Sequence, residues 1–278
     1  MAADTQHRQL FAEMVRRRDD ELDLAAAALL IAREEYPDLR VEDYIDRLDF
    51  LAGELARRVD LEDGPQGVIS VINRYLFEEL GFRGDQEDYF DPRNGFLNEV
   101  LDRRTGIPIT LSVVYVEVAR RLGLPVQGVG LPGHFIVKYV TDGSPILIDP
   151  FHGGALLSRE DCHERVKAIY GPAAPFRESF LAAATKRQIL GRILYNLKGI
   201  YLRDKAHAKA LGTVELLLAL SPWDLEEIRD RGMVSFQLRS LGPARDDLET
   251  YLRYFPDAPD VSAVRQTLEA VRALERGG

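Results

Sequence analysis

Residues 104–154 read RTGIPITLSVVYVEVARRLGLPVQGVGLPGHFIVKYVTDGSPILIDPFHGG. Pro108 suits the first turn of a helix, where the N–H it lacks would have no intrahelical partner and its fixed φ is already helical. Residues 108–122 are apolar nearly all round (Ile109, Leu111, Val113, Val114, Val116, Val118, Ala119), which marks a buried helix. Gly123-Leu124-Pro125 ends it. Residues 126–131, 134–140 and 145–149 then alternate in the β manner, with Asp142-Gly143 as the hairpin turn between the last two. The expected fold class is α+β, mostly helical with a small antiparallel sheet. His134 and Asp149 fall at strand ends. An aspartate can orient an imidazole and stabilise its charged form, so the two have the makings of an acid–base pair.

Upstream, residues 9–56 carry a helical pattern, with Leu22, Leu24, Ala25, Ala28, Leu29 and Ala32 recurring at intervals of three and four. Asp19 and Asp20 are the expected caps of its second helix, which stops at Tyr36-Pro37. Further helices are expected over 41–59 and 68–80, making the first eighty residues a helical bundle. Residues 81–95 (GFRGDQEDYFDPRNG) read as an irregular loop. Its carboxylates do not have calcium-loop spacing, since the central glycine and the terminal glutamate are missing. Asn94, at the end of this loop, is a candidate ligand contact.

Composition narrows the function classes. The 278 residues are enough for a core that needs no staple, and a single cysteine, Cys162, excludes an intrachain disulfide and a Cys-rich zinc site. A formal charge of -9 argues against sequence-independent nucleic-acid binding, which needs clustered Lys and Arg. No apolar run is long enough to span a bilayer and the N-terminal stretch is polar, so a cytoplasmic protein with no membrane partner is expected.

The order helix, Gly-Leu-Pro, strand, His-aromatic, strand, Asp-Pro resembles the core of the transglutaminase-like superfamily, a papain-related fold. Gly123-Leu124-Pro125, His134-Phe135 and Asp149-Pro150 correspond to that pattern's Gly-Ile-Pro, its His and its Asp-Pro. The resemblance implies a nucleophilic cysteine opening the helix, and counting back fifteen residues from Gly123 puts that position at Pro108. The run DPRNGFLNEVLDRRTGIPITLSVVYVEVARRLGLP is similar to bacterial SirB-type proteins, in which such a domain precedes tetratricopeptide repeats.

A papain-type reaction needs a thiolate, and proline offers neither a nucleophile nor a backbone donor. Thr110 and Ser112 are the candidate substitutes. On a helix Thr110 points ~200° away from Pro108, and Ser112 returns to within ~40° but a turn deeper. Cys162 lies beyond the last strand and reads as a small buried hydrophobe. His152 could join His134 and Asp149 as a ligand-binding residue, since imidazole and carboxylate are ordinary metal ligands. Hydrogen-bonded loop and strand residues are the plainer reading, so no metal and no cofactor are expected.

Residues 155–170 read as helix, with Ser158 as cap. Residues 171–175 (GPAAP) are the expected boundary, giving a domain over 1–171 and helical repeats over 178–278. Pro222 and Pro256 lie 34 residues apart, the period of tetratricopeptide repeats. Ala210, Gly232 and Ala244 are small residues that let paired helices approach, whereas Lys198 stands where a small residue is usual. Residues 261–274 read as a closing helix. The leading expectation is a non-catalytic transglutaminase-like domain with repeats that bind a protein or peptide partner in an interaction or regulatory role. The alternative is a hydrolase or acyltransferase using His134 and Asp149 with a serine, a metal or a water.

Overall fold

The computed structural model describes residues 2–277. In chain order its helices are α1 (Ala2–Val15), α2 (Leu24–Ala32), α3 (Val41–Ala56), α4 (Gly64–Asn73), α5 (Leu97–Arg103), α6 (Pro108–Arg121), α7 (Arg159–Tyr170), α8 (Lys186–Arg203), α9 (His207–Leu220), α10 (Leu225–Gln237), α11 (Leu241–Tyr254) and α12 (Val261–Gly277). The strands are β1 (Arg83–Gly84), β2 (Thr105–Gly106), β3 (Val126–Val129), β4 (Ile136–Tyr139), β5 (Ile146–Asp149) and β6 (Ala155–Leu157). The fold is α+β, with an antiparallel sheet in the order β3-β4-β5-β6 and a parallel pair β1-β2.

The described chain forms two compact units, residues 18–193 and residues 194–277 joined by residues 2–17. Both cuts differ from the boundary read at residues 171–175. The change of unit falls between Ile193 and Leu194, inside the continuous helix α8. The N-terminal helix goes with the repeats because its buried stripe, His7, Phe11 and Val15, packs on α9, where Arg8 also pairs with Glu215.

In the unit of residues 18–193, α6 is the central element. It packs against α2, α3, α5 and the sheet strands β3 and β4, and it is buried on every side, as its all-round apolar pattern predicts. Its one buried charge, Glu117, is compensated by Arg120 at 3.0 Å and Arg121 at 2.5 Å. The register pairs Val137 with Ile148 and Tyr139 with Ile146 on one face and leaves Val129, Ile136 and Leu147 on the other, and both faces bury apolar side chains.

Three local expectations are corrected. Residues 155–157 are a strand, not the start of a helix: Leu157 pairs with Leu147, and the helix begins only after Ser158, whose hydroxyl caps it. Asp23, not Asp19 or Asp20, caps α2, accepting from the Ala26 N–H at 3.0 Å. Asp19 instead accepts from the Lys186 and Arg187 N–H groups at 3.2 and 3.3 Å, at the start of α8. The helix expected over 68–80 is α4 continued by a π-helical turn, Arg74–Glu79.

In the second unit, α10 and α11 pack closely at Gly232, where a Cβ would come within 2.9 Å of the Leu248 side chain. Lys198, at its unusual position, reaches from α8 to α10 and pairs with Glu227 and, at 2.9 Å, with Asp230.

Candidate functional site

The site is assembled by the ends of two neighbouring strands and the turn that follows them. His134 precedes β4 by two residues, after Leu131-Pro132-Gly133, and Asp149 closes β5. Antiparallel pairing of β4 with β5 brings the two ends together, and His134 Nε2 lies 2.9 Å from Asp149 Oδ2. Pro150–His152 forms a short 3-10 turn in which Asp149 Oδ1 accepts from the Phe151 N–H at 3.1 Å. That turn returns His152 to the same carboxylate, with Nδ1 2.8 Å from Oδ2. Arg165, from α7, donates through Nε to Oδ2 at 3.2 Å. Phe151 meets the His134 ring edge-on, with ring centres 6.1 Å apart.

Asp149 is wholly buried and His134 is 8% exposed. Burial alone would raise the Asp149 carboxyl, but hydrogen bonds and charge from His134 and His152 outweigh it and hold the group at about 2. Asp149 is thus an anion at neutral pH. Among the described residues, His134, Asp149 and His152 offer three donor atoms within 4.8 Å of one another. Both imidazole nitrogens and Arg165 already converge on the same oxygen, so a divalent cation would have to displace a guanidinium and break two hydrogen bonds.

Pro108 is buried at the first position of α6. Thr110 Oγ1 accepts from the Ile107 N–H at 3.2 Å and donates to the Asn94 carbonyl at 2.7 Å, which ties the helix start to the preceding loop. Asn94 is fully buried; its amide donates to Asp85 Oδ2 and to the Asp88 carbonyl, both at 2.9 Å, and its Oδ1 accepts from Arg103 at 3.2 Å. The Asp85 carboxylate is therefore engaged in ordering the loop. Ser112 is fully buried, its hydroxyl without a hydrogen-bond partner. Cys162 is buried among Val129, Leu131, Ile136 and Leu147, and burial pushes its thiol up to about 11. Sequence reasoning brought His134, Asp149 and His152 together and missed Arg165, whose position on α7 carries no signal short of the fold.

A central buried helix followed by strands bearing His and Asp is the order of a transglutaminase-like domain. The model of the Transglutaminase-like superfamily matches residues 42–195, and a tetratricopeptide-repeat model matches residues 197–269. The chain belongs to the SirB-type family of such proteins. It is 40% identical over 250 residues to a UPF0162 protein of Xylella fastidiosa, covering 89% of each chain. A UPF0162 protein of Vibrio cholerae is 30% identical over 253 residues, 91% of this chain and 93% of its own. F-box only protein 21 of Mus musculus is 30% identical over 207 residues, 69% of this chain and 31% of that protein. No helix among the described residues is long and apolar enough to cross a membrane. Tetratricopeptide repeats generally mediate contacts between proteins.

Proposed function

We propose that this protein works in the cytoplasm by binding a protein or peptide partner through its helical repeats, in an interaction or regulatory role, and that its transglutaminase-like domain no longer runs the cysteine reaction of that fold. Pro108 carries the reading. It occupies the position at which the resemblance puts the nucleophile, and it has no group that can attack a carbonyl. The bond between His134 and Asp149 supports an orienting pair, but a pair that only holds a proton forms no acyl intermediate. Thr110 spends its hydroxyl on Asn94, Ser112 is sealed in the core, and the Cys162 thiol stays protonated at neutral pH. Removing one member of such a unit costs orders of magnitude in rate, typically about 10⁴ or more.

The recurrence of this stretch within a longer protein, F-box only protein 21, supports a module combined with other parts. The reading includes no metal, cofactor, nucleic acid or membrane. Incubating the purified chain with a labelled amine donor and with peptide substrates tests it. Turnover no greater than that of His134→Ala is expected; robust labelling or cleavage abolished by that substitution would refute it.

A second reading has one observation in its favour. An imidazole held 2.9 Å from a charged carboxylate, as His134 is by Asp149, is suited to activating a water. An activated-ester assay in which wild type exceeds both His134→Ala and Asp149→Asn by more than about tenfold would support this hydrolase over the non-catalytic reading.

A further inference from the structure

The groove between α11 and α12 encloses about 470 Å³ within the repeat unit. Its apolar floor is Leu252 of α11 and Leu268 of α12, and its walls carry Arg253, Arg265 and Arg272. Positions 249, 252 and 253 on one helix and 265, 268 and 272 on the other recur at intervals of three and four, so each helix contributes a single face. Arg272 is occupied, donating across the groove to Glu249 at 2.8 Å. Arg253 and Arg265 have no carboxylate within ion-pair distance among the described residues. In the same unit Arg229, Arg231 and Arg245 are each held by carboxylates at 2.6 to 2.8 Å. Three arginines against Glu249 and Glu269 leave the lining with a net charge of +1 in a chain whose formal charge is -9.

Two guanidinium groups without an ion-pair partner, flanking an apolar floor, are complementary to carboxylates flanking an apolar side chain. The planar fork of each arginine can donate two parallel hydrogen bonds to one carboxylate. The volume lies in the range that holds side chains rather than a single ion. We propose that this groove binds an acidic peptide segment of a partner protein, two of whose carboxylates pair with Arg253 and Arg265 while an apolar residue between them covers Leu252 and Leu268. The proposal rests on the interaction reading above and names the face and the chemistry of the partner.

Fluorescence anisotropy on the full chain tests it, with a labelled peptide alternating glutamate and leucine, the matching glutamine–leucine peptide, a single-stranded oligonucleotide, and vesicles containing phosphatidylserine. The glutamate peptide is expected to bind, more weakly as salt rises, and the glutamine peptide about tenfold less tightly or worse. The exposed pair Arg253→Gln and Arg265→Gln, its fold checked by circular dichroism, is expected to lower affinity by about tenfold or more. Arg239→Gln, on the turn between α10 and α11, is expected to change nothing. The proposal is overturned if the glutamate peptide does not bind, if the glutamine peptide binds equally well, if the double variant binds like wild type, or if the oligonucleotide or vesicles take the groove more tightly. A partner captured through residues 194–277 as well by the double variant as by wild type would overturn the groove and leave the interaction reading standing. Amine-donor labelling by wild type would instead sink that reading.

Discussion

Replacing Asp149 with asparagine removes the one anion on which His134, His152 and Arg165 converge while keeping the side chain's shape. The carboxyl is held at about 2 against an ordinary 3.8, which corresponds to stability on the order of 2 kcal/mol at neutral pH. The folded value is depressed, so this contribution is complete above the unfolded value and is lost as pH falls through the folded one. The window is pH 4 to 2. Urea unfolding followed by circular dichroism, run on wild type and Asp149→Asn at pH 6, 4, 3 and 2, reads it as a difference in which the groups that do not touch Asp149 cancel. The stability gap is expected to hold to about pH 4, fall to roughly half by pH 3 and nearly close at pH 2. A gap that stays constant from pH 6 to pH 2, or that closes already at pH 5, would show that the carboxyl is not held by these partners.

Other outcomes follow from the same contacts. Thr110→Val leaves the buried Asn94 carbonyl and the Ile107 N–H unpaired and is expected to cost about 1 to 3 kcal/mol in urea unfolding; a neutral result would mean that the loop and helix start are not coupled. Phe11→Ala opens a hole under α1 against α9 and is expected to lower stability by about 3 to 5 kcal/mol, read as an early loss of helical signal, whereas a loss below about 1 would argue that α1 does not pack there. Micromolar zinc is expected to move the melting temperature of wild type by less than about 2 °C, because His134 Nε2 and His152 Nδ1 are already hydrogen-bonded to Asp149 Oδ2. A larger rise, abolished by His152→Ala, would establish a metal site instead.

Much of this fold is written locally. Pro108, the apolar run after it and the Gly123-Leu124-Pro125 stop suffice to place α6 as a buried helix, and alternation marks β3, β4 and β5, because helix and strand periods are properties of neighbouring residues. What escaped is what depends on distant partners. Residues 155–157 become a strand only because β5 offers a free edge, and Leu156 and Leu157 alone do not announce it. Asp19 looks like a cap for the next helix and caps one that begins at residue 186. The helical stripe of α1 is visible, but nothing in it says that its partner is α9. At the site, His134 and Asp149 were legible as residue types at strand ends. Arg165 was not, because an arginine on a charged helix has no feature that distinguishes a buried contact from a solvated one until α7 is docked.

The pairing of α1 with α9 also sets an order of events during synthesis. About 190 residues separate them, and at roughly 5 to 20 residues per second α9 leaves the ribosome on the order of 10 to 40 seconds after α1. Residues 18–193 can complete their own core in that interval. Until then the stripe of His7, Phe11 and Val15 has no surface of its own to cover, and the nascent chain carries an amphipathic helix open to any other apolar face it meets.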